Sequence, residues 1–229
     1  MTEPCRITVF GEELVLDPSG AAWWAAQKTL IVADLHFEKG SAYARSGQFL
    51  PPYDTRATIR KLEALWQKFG AQRLIALGDS FHDDGAASRL DLEERSALSA
   101  LTKLCDVVWV EGNHDPNPPQ WLGGRVMAEL VIGNFVFRHI PRADNCVGEI
   151  AGHLHPAARL SRGGMRLWKR CFVTDYQRLV MPSFGAYTGG LDVRDAAVTE
   201  IFRQGFGVYA LGREKVYLIS PMPVAKVLV

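Results

Sequence analysis

Short apolar runs punctuated by turn residues open the chain. Ile7, Val9 and Phe10, then Leu14, Val15 and Leu16, flank Gly11-Glu12-Glu13, the pattern of two strands about a turn. Asp17-Pro18-Ser19-Gly20 reads as a second turn, residues 21–24 as a third strand and residues 29–33 as a fourth, apolar enough to be covered on both faces. Residues 39–52 read as a polar connection. After Pro51-Pro52 the period changes: Asp54 is placed to cap a helix in which Ile59, Leu62, Leu65, Trp66 and Phe69 recur at helical spacing. Residues 91–104 give a second amphipathic helix with Leu92, Leu98, Leu101 and Leu104 as its inner face. Buried strands at residues 73–77 and 107–110 follow these helices. Strand, helix, strand, helix, strand at this spacing predicts parallel strands with right-handed crossovers, whose ligands gather at the carboxyl ends.

The second half reads as strands at residues 125–132, 135–140, 147–151, 166–174, 179–181, 197–202, 207–211 and 215–219, with turns at Arg162-Gly163-Gly164 and Gly212-Arg213-Glu214. A second sheet packed on the first is the expectation. With no repeat or linker, residues 1–229 are expected to form a single domain. Residues 221–229 are apolar enough to pack on the body or to meet a second subunit.

At 48% hydrophobic and 22% charged residues, the composition is that of a soluble globular protein with an extensive core. The formal charge of +1 leaves open whether a local basic patch meets nucleic acid. Cys5, Cys105, Cys146 and Cys171 form no CxxC pair, which fits reduced thiols and a cytoplasmic location. The most apolar early stretch, residues 21–33, is broken by Gln27 and Lys28, so neither export nor a membrane span is expected.

Candidate chemistry sits at the predicted strand ends. The six histidines, His36, His82, His114, His139, His153 and His155, all lie in or beside such an end. Asp34-Leu35-His36, Gly78-Asp79 and Gly112-Asn113-His114-Asp115 each follow an apolar run, and Gly152-His153-Leu154-His155 completes the set. Residues two apart on an extended chain point the same way, so Asp34 with His36 can grip one ion, and two imidazoles can complete a metal site begun upstream. His82 is placed either to reach a substrate phosphate or to support the ligands from behind.

This ordered set, from Asp34 to His155, resembles the calcineurin-like metallophosphoesterase superfamily. The resemblance implies a four-layer α-β-β-α sandwich of two mixed sheets flanked by helices, holding two divalent ions at the loop edge. It implies Asp34, His36 and His155 around one ion, Asn113, His139 and His153 around the other, and Asp79 bridging both. His139 stands in Phe137-Arg138-His139 without the glycine that often precedes it. It further implies that an ion-activated water attacks phosphorus in line, with His114 stabilising the transition state or protonating the leaving oxygen and Asp115 orienting His114. Mixed nitrogen and oxygen donors suit manganese, iron or zinc.

Three further stretches, Asp34-Leu35-His36-Phe37-Glu38-Lys39-Gly40, Pro51-Pro52-Tyr53-Asp54-Thr55 and residues 181–190, are similar to the bacterial ligase-associated DNA repair endonucleases, encoded beside a DNA ligase and a helicase. That resemblance implies manganese-dependent cleavage of DNA phosphodiesters with a preference for single strands. Arg159, Arg162, Arg166, Lys169, Arg170 and Arg178, interleaved with Trp168, Phe172 and Tyr176, suit a single-strand groove, with Arg166, Lys169 and Arg170 as its phosphate contacts. The same stretch equally suits a hairpin with one solvated and one buried face. A phosphatase or phosphodiesterase for a small nucleotide or phosphoprotein, and more remotely a non-catalytic scaffold, are the competing readings.

Overall fold

The computed structural model describes residues 4–144, 146–162 and 164–222. Residues 223–229 of the apolar C-terminal stretch lie outside them. β1 (Cys5–Val9), β2 (Glu12–Leu16), β3 (Ala22–Trp24) and β4 (Thr29–Val32) pair antiparallel in chain order. From β4 the sense changes, and β5 (Arg73–Leu77), β6 (Asp106–Val110) and β7 (Arg125–Met127) continue the sheet in parallel. Parallel neighbours need long crossovers. These run through α1 (Lys39–Arg45) and α2 (Asp54–Phe69), then through α3 (Ala86–Arg89) and α4 (Leu92–Leu104).

The second sheet comprises β8 (Leu130–Ile132), β9 (Phe135–Arg138), β10 (Glu149–Ala151), β11 (Pro156–Arg162), β12 (Met165–Thr174), β13 (Leu179–Val180), β14 (Leu191–Asp192), β15 (Phe206–Leu211) and β16 (Val216–Met222). Its order is β14-β11-β12-β13-β10-β9-β8, with β15 on β12 and β16 on β15. The strands β9, β10 and β13 are parallel, so this sheet too is mixed.

Ile31, Ile75, Leu77, Val108 and Val110 meet Phe135, Phe137, Ile150 and Phe172 between the sheets. The alternate residues Leu30, Val32, Leu74, Val107 and Trp109 face Ile59, Leu62 and Leu65 of α2 and Leu98 and Leu101 of α4. Burial on both faces is what the unbroken apolar runs require, and each such side chain contributes roughly 1.5–3 kcal/mol. On the far side Val173, Val180 and Val208 pack under Val198 and Phe202, the former in α5 (Ala196–Thr199). The layers are therefore helix, sheet, sheet, helix, the last reduced to a single turn.

Local expectations fail where a polar contact or the helical period decides. Residues 39–52 contain α1, whose first turn is fixed by Asp54: that carboxylate accepts from the Gly40 amide at 2.9 Å and so serves α1 instead of capping α2. Leu92 and Leu104 are 83% and 69% exposed, because residues six apart fall well off the Leu98–Leu101 face. Residues 197–202 are no strand: Asp195 caps Ala197, and Val198 and Phe202 are buried at helical spacing. The strands β11 and β14 went unpredicted.

Candidate metal centre

Each loop of the site leaves the carboxyl end of a strand: Asp34 after β4, Asp79 after β5, Asn113 after β6, His139 after β9, and His153 and His155 after β10. Backbone bonds stitch the loops together, His36 N–H to the Asp79 carbonyl at 2.9 Å and Gly152 N–H to the His139 carbonyl at 3.0 Å.

The paired ligands are not on extended chain. Asp34, His36, Asp79, His153 and His155 all have positive φ, between 45° and 68°. A left-handed residue at every second position curls the backbone around a point, and each such residue stores about 1–3 kcal/mol that its surroundings must offset. The neighbouring glycines make room. A methyl group on Gly112 would fall on the amide and carboxylate of Asp79, and one on Gly78 would fall on the His139 ring.

Two groups of metal-competent atoms result, Asp34, His36, Asp79 and His155 in one and Asp79, His139 and His153 in the other, with atoms within 4.8 Å of one another in each. In the first, His155 Nε2 lies 3.0 Å from Asp34 Oδ1 and 3.4 Å from His36 Nε2. In the second, His139 Nε2 lies 3.4 Å from Asp79 Oδ1, 3.2 Å from His153 Nδ1 and 2.9 Å from Asn113 Oδ1. Ligands held about 2.1 Å from one ion sit roughly 3–3.5 Å apart, so this donor set fits a pair of divalent ions sharing Asp79. When bound, such ions would activate a water and neutralise charge on a phosphoryl group.

The chain prepares these donors itself. The Leu77 carbonyl, 2.9 Å from His139 Nδ1, accepts its proton and leaves Nε2 free to ligate. Burial, then the charges of Lys39 and His155, lower the His36 pKa to about 2, so its imidazole is neutral. Burial and the neighbouring His139 also lower that of His153. Burial would raise Asp79, but the His139 contact and the His114 amide hold it below its ordinary range. Burial opposes the shift at His139, yet Asp79 and Asp34 raise its pKa.

Of the remaining predicted residues, His114 is the more open. Its amide donates to Asp79 Oδ1 at 2.9 Å, its Nε2 lies 4.0 Å from Asp79 Oδ2, and its side chain is 43% exposed. Asp115 does not orient it. That carboxyl is buried, accepts from the Phe81 amide at 3.0 Å, and is raised to about 7 by burial first and by Asp79 among other causes. The orienting contact of His114 is the His82 carbonyl, 2.9 Å from Nδ1.

The basic stretch divides by strand alternation. Across β11 and β12, Arg159 pairs with Trp168 and Ser161 with Arg166, which places Arg159, Arg166 and Trp168 on one face and Lys169 on the other. Arg170 is turned inward and donates to the carbonyls of Ser183 at 2.7 Å and Gly185 at 3.2 Å, so it is not a free phosphate contact. The Arg159 and Trp168 face adjoins the centre: a side chain on Gly190 would meet both the His155 carbonyl and the Trp168 indole nitrogen. Sequence reasoning gave no role to Lys39, which is buried beside the first group; its signal was its place in the stretch Asp34 to Gly40, three residues after His36.

Two mixed sheets carrying twin ligand groups at their carboxyl edge define a metallophosphoesterase, and the family model for calcineurin-like phosphoesterases matches residues 27–206. The chain belongs to that family. Its fold is similar to the crystal structure of the Pseudomonas putida nuclease MPE, at 32% identity and TM-score 0.76 over 95% of this chain and 100% of that one. The Escherichia coli phosphoesterase Yfce aligns at 16% identity and TM-score 0.41 over 86% of this chain and 98% of that one. No curated protein sequence matches the chain. Among the described residues no helix is long and apolar enough to cross a membrane.

Proposed function

We propose that this metallophosphoesterase is a manganese-dependent endonuclease of single-stranded DNA acting in DNA repair in the cytoplasm, in functional association with a DNA ligase and a helicase. The observation that carries the reading is the cation and aromatic face of β11 and β12, set beside His155. Its Trp168 indole, 44% exposed, offers a surface for an unpaired base, and the Arg159 guanidinium stands 5.3 Å from the ring centroid. The likeness to a nuclease over the whole of that protein supports the same reading.

In the reaction, Asp34, His36, Asp79, Asn113, His139, His153 and His155 hold the two ions. His114, next to the bridging carboxylate and open to solvent, stabilises charge on the phosphoryl group or gives its proton to the leaving oxygen. His82 braces His114 from behind.

The test is an Arg159→Ala, Arg166→Ala, Trp168→Ala variant. Cleavage of single-stranded DNA should fall at least about tenfold in kcat/KM, since stacking and phosphate contacts contribute roughly 1–3 kcal/mol per base. Hydrolysis of a small aryl phosphodiester should be unchanged. Equal losses on both substrates would remove the DNA-binding face and favour an enzyme of small phosphate esters.

A further inference from the structure

We propose that Lys39 is a phosphate-binding residue of the centre, its ammonium contacting a non-bridging oxygen of the phosphodiester under attack. The inference rests on the phosphodiesterase reading above, though not on DNA as the substrate.

Lys39 is 8% exposed, and among the described residues its ammonium makes no hydrogen bond and has no carboxylate within 4.0 Å. Its Nζ is nevertheless not among the fully enclosed polar atoms, so the cation stands largely withdrawn from water, without a hydrogen-bond partner, yet within reach of an incoming oxygen. Lysine in the first turn also opposes the helix dipole of α1. Neither helix formation nor packing accounts for a cation here.

Its surroundings face the reaction side. The ammonium lies 6.0 Å from the Tyr43 ring centroid, and that ring lies 6.0 Å from the His82 ring, which stacks on His114. Burial pushes the Lys39 pKa down while the charges of Asp34, Asp79 and Asp54 resist. Once two divalent ions are held, however, their four positive charges outweigh the carboxylates of Asp34 and Asp79, and the ammonium faces an electropositive centre. An anion entering there would be held from both sides, and a phosphodiester carries the charge and acceptor oxygens for that place.

The backbone on either side of Lys39 is clamped. Thr55 Oγ1 accepts from the Glu38 amide at 2.8 Å and donates to Glu38 Oε1 at 2.9 Å, while Asp54 holds the Gly40 amide at 2.9 Å. A side chain on Gly40 would come within 2.7 Å of Asp54 Oδ1, so the glycine lets that carboxylate stay on the amide it holds. Phe184 N–H and Gly185 N–H bond the carbonyls of Ala33 and Asp34 at 2.8 and 3.1 Å. The three stretches that stand outside the shared ligand pattern, residues 34–40, 51–55 and 181–190, are thus bonded to one another around the segment that carries Lys39.

Lys39→Met and Lys39→Arg, each loaded with manganese, provide the test. Lys39→Met should bind two ions per chain as the wild type does and, once loaded, unfold at an equal or higher temperature, because a partly desolvated cation facing the ions has been removed. Its affinity for inorganic phosphate, measured by calorimetry, should fall at least about tenfold, and its kcat/KM should fall roughly 10²–10³-fold on both a small aryl phosphodiester and single-stranded DNA. Lys39→Arg should recover part of the phosphate affinity. Unchanged phosphate affinity, a lost ion, or a chain that no longer folds would overturn the proposal by making Lys39 a bystander, a positioner of ligands or a structural residue. If the wild type spares DNA yet hydrolyses the small ester, the nuclease reading fails, and phosphate binding with ester kinetics still decides the role of Lys39.

Discussion

The imidazole of His114 stacks on that of His82, centroids 5.5 Å apart and planes at 17°, while its Nδ1 lies 2.9 Å from the His82 carbonyl. One residue thus supports the ring by face and edge at once. With Nδ1–H engaged, Nε2 is the nitrogen left to meet a reacting group.

On the proposed reading this arrangement assigns His114 to catalysis and not to metal binding. His114→Ala should lower kcat roughly 10²–10⁴-fold, the range for a removed acid or base, while elemental analysis still finds two ions per chain. His82→Ala should give a smaller loss, because it leaves the imidazole in place but unbraced. An empty ion position in His114→Ala would show the residue to be a ligand.

The titration of the metal-free site sets a pH dependence. His139 has a raised pKa, so the stability it contributes is fully present below the ordinary histidine value of 6.5 and is lost as pH rises through its folded value. Asp115, raised from 3.8 to about 7, holds its proton more tightly when folded, so its contribution also falls across that interval as pH rises. Asp79 is shifted the other way, and the stability it adds is lost only in acid, below the ordinary carboxylate range. Ion binding needs the deprotonated donors and strengthens with pH. The gap in Tm between manganese-loaded and chelator-treated protein should therefore widen from about pH 5.5 to about pH 8. A constant gap by scanning calorimetry would contradict it, and Asp115→Asn should flatten the metal-free profile.

Next to His139, a buried charge network ties the second sheet. Glu149, 1% exposed, accepts from Arg138 Nη1 at 2.8 Å and from the Arg142 amide at 3.0 Å, and lies 3.5 Å from Arg178 Nη1. Glu149→Ala leaves two buried guanidinium groups short of their shared anion, at about 3–5 kcal/mol of stability. Denaturant unfolding of the metal-free variant checks this, and a loss under about 1 kcal/mol would show that water or Glu129 compensates.

The candidate ligands are legible in the sequence because each follows an apolar run long enough to be a buried strand, and strand ends of a parallel sheet converge on one edge. Asp34, Asp79, Asn113, His139, His153 and His155 are brought together for that reason. Alternation along an extended chain pointed to residues that do converge, but by another geometry, since left-handed backbone at positions two apart also converges and leaves no compositional trace. α1 was invisible because Asp54 and Thr55, distant in the chain, hold it where apolar periodicity does not. Arg170 and Asp115 show the same limit: their partners are backbone groups, and sequence cannot tell an outward charge from an inward one.

On the proposed reading the shared-carboxylate centre cuts DNA within a strand. The most direct measurement incubates manganese-loaded protein with circular single-stranded DNA, which has no ends, beside a small aryl phosphodiester and with Asp79→Ala as control. Linearisation and fragmentation of the circle by the wild type, abolished by chelator and absent in Asp79→Ala, is the predicted result. An intact circle alongside rapid ester hydrolysis would contradict the endonuclease reading and favour a phosphatase or phosphodiesterase of small substrates, and silence on both would point to a binding scaffold.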